Sequence, residues 1–290
     1  MPGARLTLGA GFTLALGGGG ARGWAHIGVA RALEQLGMRP ARVVGTSMGA
    51  IIGAGIAAGR SADEMEEAAR RTSVYRLMRR PGRLAMFDAR ALLEQTAAEL
   101  GNPRIEDLPT PLGITTYDLV AGRPRLITSG ALVDALEMSI AVPFFLPPRR
   151  DVHGVWCDAG PWEGVPVTLS RAWDPSLPVI GVLADIPKPA FLSSRIGAAV
   201  LRGASGRLAG RAAGDRLTAR RYLSLLTARW ADPVVVEPAD LLITPRLGRM
   251  NALQFGRIGP AIAIGERDTL EALGGVGGEP TKRRMATHGV

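Results

Sequence analysis

The sequence predicts a three-layer α/β fold, a mostly parallel central sheet flanked by helices. Three observations carry this expectation. Strand, helix, strand and helix patterns alternate within the first 58 residues, the signal of βαβ units in a parallel sheet. The first strand runs directly into four consecutive glycines, Gly17-Gly18-Gly19-Gly20. The second ends in Gly45-Thr46-Ser47-Met48-Gly49, a Gly-x-Ser-x-Gly at a strand-to-helix junction, which is the pattern of a nucleophile elbow.

Taken in order, residues 12–16 read as a buried strand closed by the glycine loop. Residues 24–36 carry Ile27, Val29, Ala30, Leu33 and Leu36 at helical spacing and stop at Gly37. Residues 42–45 form the second strand, and residues 48–58 a buried helix ending at Gly59. Ser61 with Glu64 makes a capping box, opening a helix whose early Glu64, Glu66 and Glu67 and late Arg70 and Arg71 match the helix dipole. Residues 75–84 are strongly basic around Leu77, Met78 and Leu84, and Asp88 caps a further helix through Leu100. The section 61–101 adds helices and no strand to the sheet.

Beyond it, 112–119 and 125–127 are strands joined by a turn at Ala121-Gly122, and 131–141 is a helix stopped by Pro143. Val152 and residues 155–157 flank His153-Gly154 as a small hairpin, and 179–184 return to the sheet. Residues 193–230 read as helical despite glycines at 203, 206, 210 and 214, with eight arginines against Asp215. Residues 234–237 and 240–244 are strands, 255–273 a last helix, and 274–290 a disordered tail. Neither an internal repeat nor a linker interrupts the pattern, so residues 1–273 are expected to form one domain.

Composition narrows the function. The 290 residues are 47% hydrophobic but only 5% aromatic, so the core is built from small and aliphatic side chains. The formal charge is +9, and two lysines stand against 33 arginines, a bias that fits a GC-rich coding sequence. A basic surface favours anionic partners. No nucleic-acid module or aromatic–basic stacking pattern is present, so a lipid surface is the better expectation and nucleic acid is not. Cys157 is the sole cysteine, which excludes an intrachain disulfide and a thiolate metal cluster. Arg5 and the apolar run to Leu16 resemble a short leader, but the run passes straight into the glycine loop and reads as a strand. No stretch reaches the roughly 18–20 apolar residues that span a bilayer. The expectation is a cytoplasmic protein, either soluble, with its basic stretches as solvated helix faces, or peripheral to an anionic membrane, with the oligomeric state left open.

An exposed serine needs a base and an oxyanion hole. In a parallel sheet the Gly17–Gly20 loop lies at the same carboxyl edge as Ser47, where glycine N–H groups can approach a substrate oxygen. A phosphate-binding loop and a plain turn are the other readings of this stretch. No Walker Gly-Lys-Ser/Thr follows, and the next strand ends in the elbow instead of a Rossmann acid. Arg22 can lend positive charge to the site or sit at the helix N-terminus as a surface residue. Histidine is an unpromising base. His26 comes too early for the Ser–acid–His order, His153 occupies a hairpin tip and His288 the tail. Two carboxylates remain, Asp158 at the end of a short apolar strand and Asp118, which is expected to brace the turn after its own strand.

These blocks resemble the patatin-like phospholipase family, Ser–Asp dyad lipid acyl hydrolases. Gly18-Gly19-Gly20-Ala21-Arg22-Gly23 resembles its oxyanion loop, Gly45-Thr46-Ser47-Met48-Gly49 its elbow, and Asp158-Ala159-Gly160 its Asp-Gly-Gly or Asp-Gly-Ala. Val165-Pro166-Val167, Thr116-Tyr117-Asp118-Leu119, Ser139-Ile140-Ala141-Val142-Pro143 and residues 239–255 resemble further landmarks, so the likeness spans roughly residues 12–273. The resemblance implies a patatin-like fold with Ser47 as nucleophile and Asp158 as base. It implies an oxyanion hole at Gly18, Gly19 and Gly20 with Arg22 beside it. A phospholipid or simpler acyl ester would be the substrate, with no metal or organic cofactor. Two residues depart from the pattern. Met48 stands where a small residue is common and would reshape the acyl site. Ala159 stands where the family has glycine, and a positive φ there would cost about 1 kcal/mol or more. Ala159 therefore keeps a second reading open, a catalytically impaired lipid-binding or interaction protein.

Overall fold

The computed structural model describes residues 11–74, 88–142, 145–184 and 237–274. Its centre is an eight-stranded sheet: β1 (Thr13–Leu16), β2 (Arg42–Gly45), β3 (Leu112–Asp118), β4 (Arg123–Ile127), β5 (Arg149–Asp151), β6 (Gly154–Cys157), β7 (Val179–Val182) and β8 (Leu241–Ile243). The order is β5-β6-β3-β2-β1-β7-β8, with β4 on β3. The run β3-β2-β1-β7-β8 is parallel, and β4, β5 and β6 join antiparallel. The mixed sheet between helical layers bears out the expected fold class.

All four residues of β1 are buried, as a central parallel strand covered on both faces requires. Its side chains alternate between layers. Leu14 and Leu16 join the large core beneath helices α1 (Ala25–Gln35), α2 (Met48–Ala57), α4 (Arg90–Glu99) and α5 (Leu132–Ile140), whereas Ala15 packs with Val165, Val167 and Val179 on the other face. α2 is apolar almost all round because it lies inside that core. On its outer side, α1, α3 (Ala62–Arg71) and α7 (Ile258–Gly274) close a second core around Trp24, Ile27, Met48, Met65 and Ile262. α1 and α7 cross closely at Gly28 and Gly265, where an added Cβ would lie 2.0 Å from Ile262 O and 2.1 Å from Ala25 O respectively.

Local rules account for most element ends. Ser61 and Glu64 form the expected reciprocal cap of α3, and Asp88 Oδ1 accepts the Arg90 N–H at 2.9 Å at the start of α4. Asp118 braces its turn as expected, accepting from Val120 N at 2.9 Å and Ala121 N at 2.8 Å. The first helix begins as a 3-10 turn over Gly20–Trp24 before continuing as α1. In the hairpin, β5 is Arg149–Asp151, and Val152 stands 94% exposed in the turn instead of in a strand. Asp151 Oδ1 captures the N–H groups of His153 and Gly154 there and fixes the tip one residue earlier than the apolar pattern implied. A helix that periodicity did not signal, α6 (Val167–Trp173), follows β6; seven residues are too few to show a helical repeat. The basic stretches 75–84 and 193–230, the strand over 234–236, Pro143 and the tail from 275 lie outside the described residues.

Candidate active site

β3 brings the two halves of the site together. One of its edges pairs with β4 over Ile114–Asp118. The other is shared: β2 pairs with Leu112–Ile114, and β6 pairs antiparallel with Tyr117 and Asp118. Both β2 and β6 therefore run toward the same gap along β3, β2 ending at Gly45 and β6 at Cys157. The turns that follow them approach each other there through Thr46 and Gly160. A Cβ on Gly160 would lie 3.8 Å from Thr46 Cγ2. Thr116 Oγ1 donates to Cys157 O at 2.9 Å, and Asp158 N donates to Ala141 O at 3.0 Å, which fixes the carboxylate-bearing turn to β3 and α5.

Ser47 has φ 56 and ψ −123, one of two non-glycine residues with positive φ among those described. Such a backbone costs about 1–3 kcal/mol and persists where surrounding bonds over-determine it. Ser47 N donates to Ser139 Oγ at 2.9 Å, and Ser47 O accepts from Ala50 N and Ile51 N at the start of α2. Gly45 and Gly49 are required by close approach: a Cβ on Gly45 would meet Gly49 O at 2.4 Å, and one on Gly49 would meet Leu16 O at 2.3 Å. The side chain of Ser47 stands at the N-terminus of α2, where unpaired N–H groups and the dipole favour negative charge.

The glycine loop lies against this elbow, as the pairing of β1 with β2 demands. A Cβ on Gly18 would stand 3.4 Å from Ser47 Cβ. Gly19 has φ 150 and Gly20 φ 55, and side chains there would collide with Ala184 and with Ala252 O. The N–H groups of Gly18, Gly19 and Met48 donate to no protein acceptor among the described residues. Arg22 is turned elsewhere. Its guanidinium is buried and donates to Met250 O at 2.6 Å and Gly248 O at 3.2 Å, bracing the loop against residues 248–250.

Asp158 is 1% exposed, and its Oδ1 accepts the Gly160 N–H at 2.6 Å. Burial, and then the nearby Asp158 charge, push the Cys157 thiol well above its ordinary range. Ala159 is buried and is not among the residues with positive φ. Its carbonyl accepts from Trp162 N at 2.9 Å and Glu163 N at 3.0 Å in an ordinary turn. The strain expected of alanine at this position is absent.

Two residues beside the site were not singled out for it by sequence. Ser139 belongs to a block whose likeness to the family gave it no role, yet its hydroxyl accepts the N–H of Ser47. His26 is fully buried and its Nε2 lies 2.8 Å from Gly17 O. Burial lowers its pKa from 6.5 to about 4, partly offset by the Gly17 bond, so it is neutral. Since a carbonyl only accepts, Nε2 carries the proton, and His26 cannot act as base for Ser47 through that nitrogen. Among the described residues no group of three or more His, Cys, Asp or Glu is arranged to hold a metal.

The strained Ser47 turn at a parallel strand end, the glycine loop beside it and the buried Asp158 carboxylate stand at the same end of the parallel strands. The patatin-like phospholipase family model matches residues 14–169, and the chain belongs to that family. An NTE family protein of Mycobacterium tuberculosis is 34% identical over 177 residues, 60% of this chain and 46% of that protein. Patatin-like phospholipase domain-containing protein 6 of Homo sapiens is 35% identical over 179 residues, 58% of this chain but 13% of that protein. The chain thus spans less than half the length of these relatives. VipD from Legionella pneumophila aligns over 91% of this chain and 67% of its own with a TM-score of 0.50 at 14% identity, a likeness of fold alone.

Proposed function

We propose that the protein is a serine acyl-ester hydrolase of the phospholipase A, lysophospholipase or esterase type, acting on lipids through a Ser47–Asp158 dyad. The observation that carries this reading is the strained Ser47 turn beside the unspent N–H groups of Gly18 and Gly19. The names of the relatives, a patatin-like phospholipase and NTE family proteins, support lipid hydrolysis as its class. Asp158 accepts the proton of Ser47 Oγ as that oxygen bonds to the acyl carbonyl carbon. The carbonyl oxygen becomes an oxyanion held by N–H groups of the Gly18-Gly19-Gly20 loop and of Met48. Collapse expels the alcohol, which takes the proton, and leaves an acyl-Ser47 ester. Water, deprotonated by Asp158, then attacks the ester carbonyl carbon; the bond to Ser47 Oγ breaks, that oxygen takes the proton back from Asp158, and the fatty acid is released.

A cavity of about 330 Å³, lined by Met48, the residue after Ser47, is the candidate acyl-chain site. It begins at Met48 and Trp24, follows Ile51, Ile52 and Gly55 along α2, and is closed from the side by Ala68 of α3. Those α2 positions span about 10 Å at the helical rise. The apolar end adjoins the residue after Ser47, and the far end is charged, with Arg60, Glu64, Arg71 and Glu99. Among the described residues no helix is long and apolar enough to cross a membrane. The anionic-membrane contact expected of the basic stretches 75–84 and 195–229 rests on residues outside those described.

A fluorophosphonate probe and p-nitrophenyl ester turnover test the reading. The wild type is labelled and turns over, Ser47→Ala abolishes both, and Asp158→Asn lowers kcat on the order of 10³–10⁴-fold. Labelling that survives in Ser47→Ala removes the nucleophile assignment, and full turnover in Asp158→Asn removes the base.

A further inference from the structure

We infer that His26 is a positioning residue for the oxyanion hole: its Nε2–H holds the Gly17 carbonyl and thereby fixes the direction of the Gly18 N–H. This rests on the hydrolase reading for its catalytic consequence, though not for its geometry. Within a trans peptide the C=O and the following N–H point in opposite directions, and no cis peptide bond occurs among the described residues. Gly17 N–H is itself tied to Val182 O at 2.9 Å, continuing the β1–β7 ladder. Gly17 O lies between His26 Nε2, at 2.8 Å, and Gly49, whose added Cβ would stand 2.5 Å away. With that oxygen drawn toward α1 and the first turn of α2, the Gly18 N–H is aimed away from both.

The need for such a pin follows from the sequence. The Gly17–Gly18 peptide is flanked by two residues without Cβ, so rotation about ψ of Gly17 and φ of Gly18 meets little steric resistance. A loop that must present amides in one orientation to a developing oxyanion requires something else to stop the peptide from flipping. His26 supplies it at a cost. It is fully buried, and among the described residues its Nδ1 has no hydrogen-bond partner. An apolar side chain of similar volume would avoid that unsatisfied nitrogen. What the imidazole adds to this position is, among the described residues, the one N–H that reaches Gly17 O.

The test compares wild type, His26→Met, which fills the space without a donor, and His26→Gln, whose amide nitrogen extends about as far as Nε2. Rates are normalised to sites titrated with fluorophosphonate, and the Gly18 amide resonance is followed by ¹⁵N NMR on selectively labelled protein. In His26→Met, kcat is expected to fall by at least about 10-fold with KM within about twofold, the pattern of a lost transition-state interaction. His26→Gln recovers most of the rate, and the Gly18 resonance shifts or broadens only in His26→Met. Equal kcat for His26→Met and wild type overturns the proposal, as does an equal loss in both variants. If the wild type shows no Ser47-dependent turnover, the hydrolase reading fails while the pin is still decided by NMR. An unmoved Gly18 resonance in His26→Met then overturns it.

Discussion

Ser47 keeps its unfavourable backbone because each atom that would move in relaxation is already bonded. Its N–H is held by the hydroxyl of Ser139, its carbonyl receives Ala50 and Ile51, and Gly45 and Gly49 leave no room for the turn to open. Asp158 is held differently, through the Ala141 carbonyl, the Gly160 N–H and the pairing of β6 with β3. Ala159 adds no strain to that turn, since it is absent from the positive-φ residues. A family glycine restored here therefore has nothing to relieve. Ala159→Gly is expected to leave kcat within about twofold of wild type. It should lower stability by about 0.4–1 kcal/mol, because glycine enlarges the unfolded ensemble. Urea unfolding and ester turnover measure the two effects. A variant that is both faster and more stable would show that the alanine is strained after all, and would revive the impaired-enzyme reading.

α2 begins directly after Ser47, the proposed nucleophile, and also forms one wall of the cavity. Met48, Ile51, Ile52 and Gly55 recur at helical spacing on one face of α2 and line the cavity along it. α3 forms the facing side, where half-buried Ala68 lines the cavity. Ala68→Phe is expected to lower kcat/KM for long-chain p-nitrophenyl esters by about 10-fold or more while leaving acetyl and butyryl esters within about twofold, since each lost methylene contact is worth about 1–3 kcal/mol. Uniform loss across the series would mean that acyl chains do not use this cavity. α2, α3 and the glycine loop were legible in the sequence because local rules set them: two glycine-framed turns, a capping box and an unbroken apolar run. The junction of β6 with β2 along one edge of β3 was not, because it depends on which distant strands share an edge. His26 and Ser139 were hidden for the same reason. Each acts on a backbone atom, and a backbone partner leaves no residue type to recognise.

At the scale of the molecule, pH links this buried machinery to global stability through His26. Its folded pKa is about 4 against an ordinary 6.5, lowered by burial and partly offset by the Gly17 bond. A depressed histidine pKa means that the folded state favours the neutral ring. As pH falls through 6.5 the unfolded chain takes up a proton that the folded chain refuses until about pH 4. Stability is then lost at about 1.4 kcal/mol per pH unit, roughly 3 kcal/mol over the window. Two carboxyl groups act beside it. Burial raises the pKa of Asp268, but hydrogen bonds from Arg246 and Arg267 outweigh it and bring the value down to about 2. That contribution is present above 3.8 and is lost as pH falls toward 2, below the histidine window. Glu163 is raised, by burial foremost, so protonating it favours the fold and opposes the histidine within the carboxylate range. The upper part of the window, from pH 6.5 to about 5, therefore reports His26 most cleanly. Urea midpoints taken across it should fall with a slope near one proton in wild type and lie flat in His26→Gln, which cannot ionise. Equal slopes in the two proteins would mean that some other group takes up the proton. The imidazole would then be no more difficult to charge in the folded protein than in water.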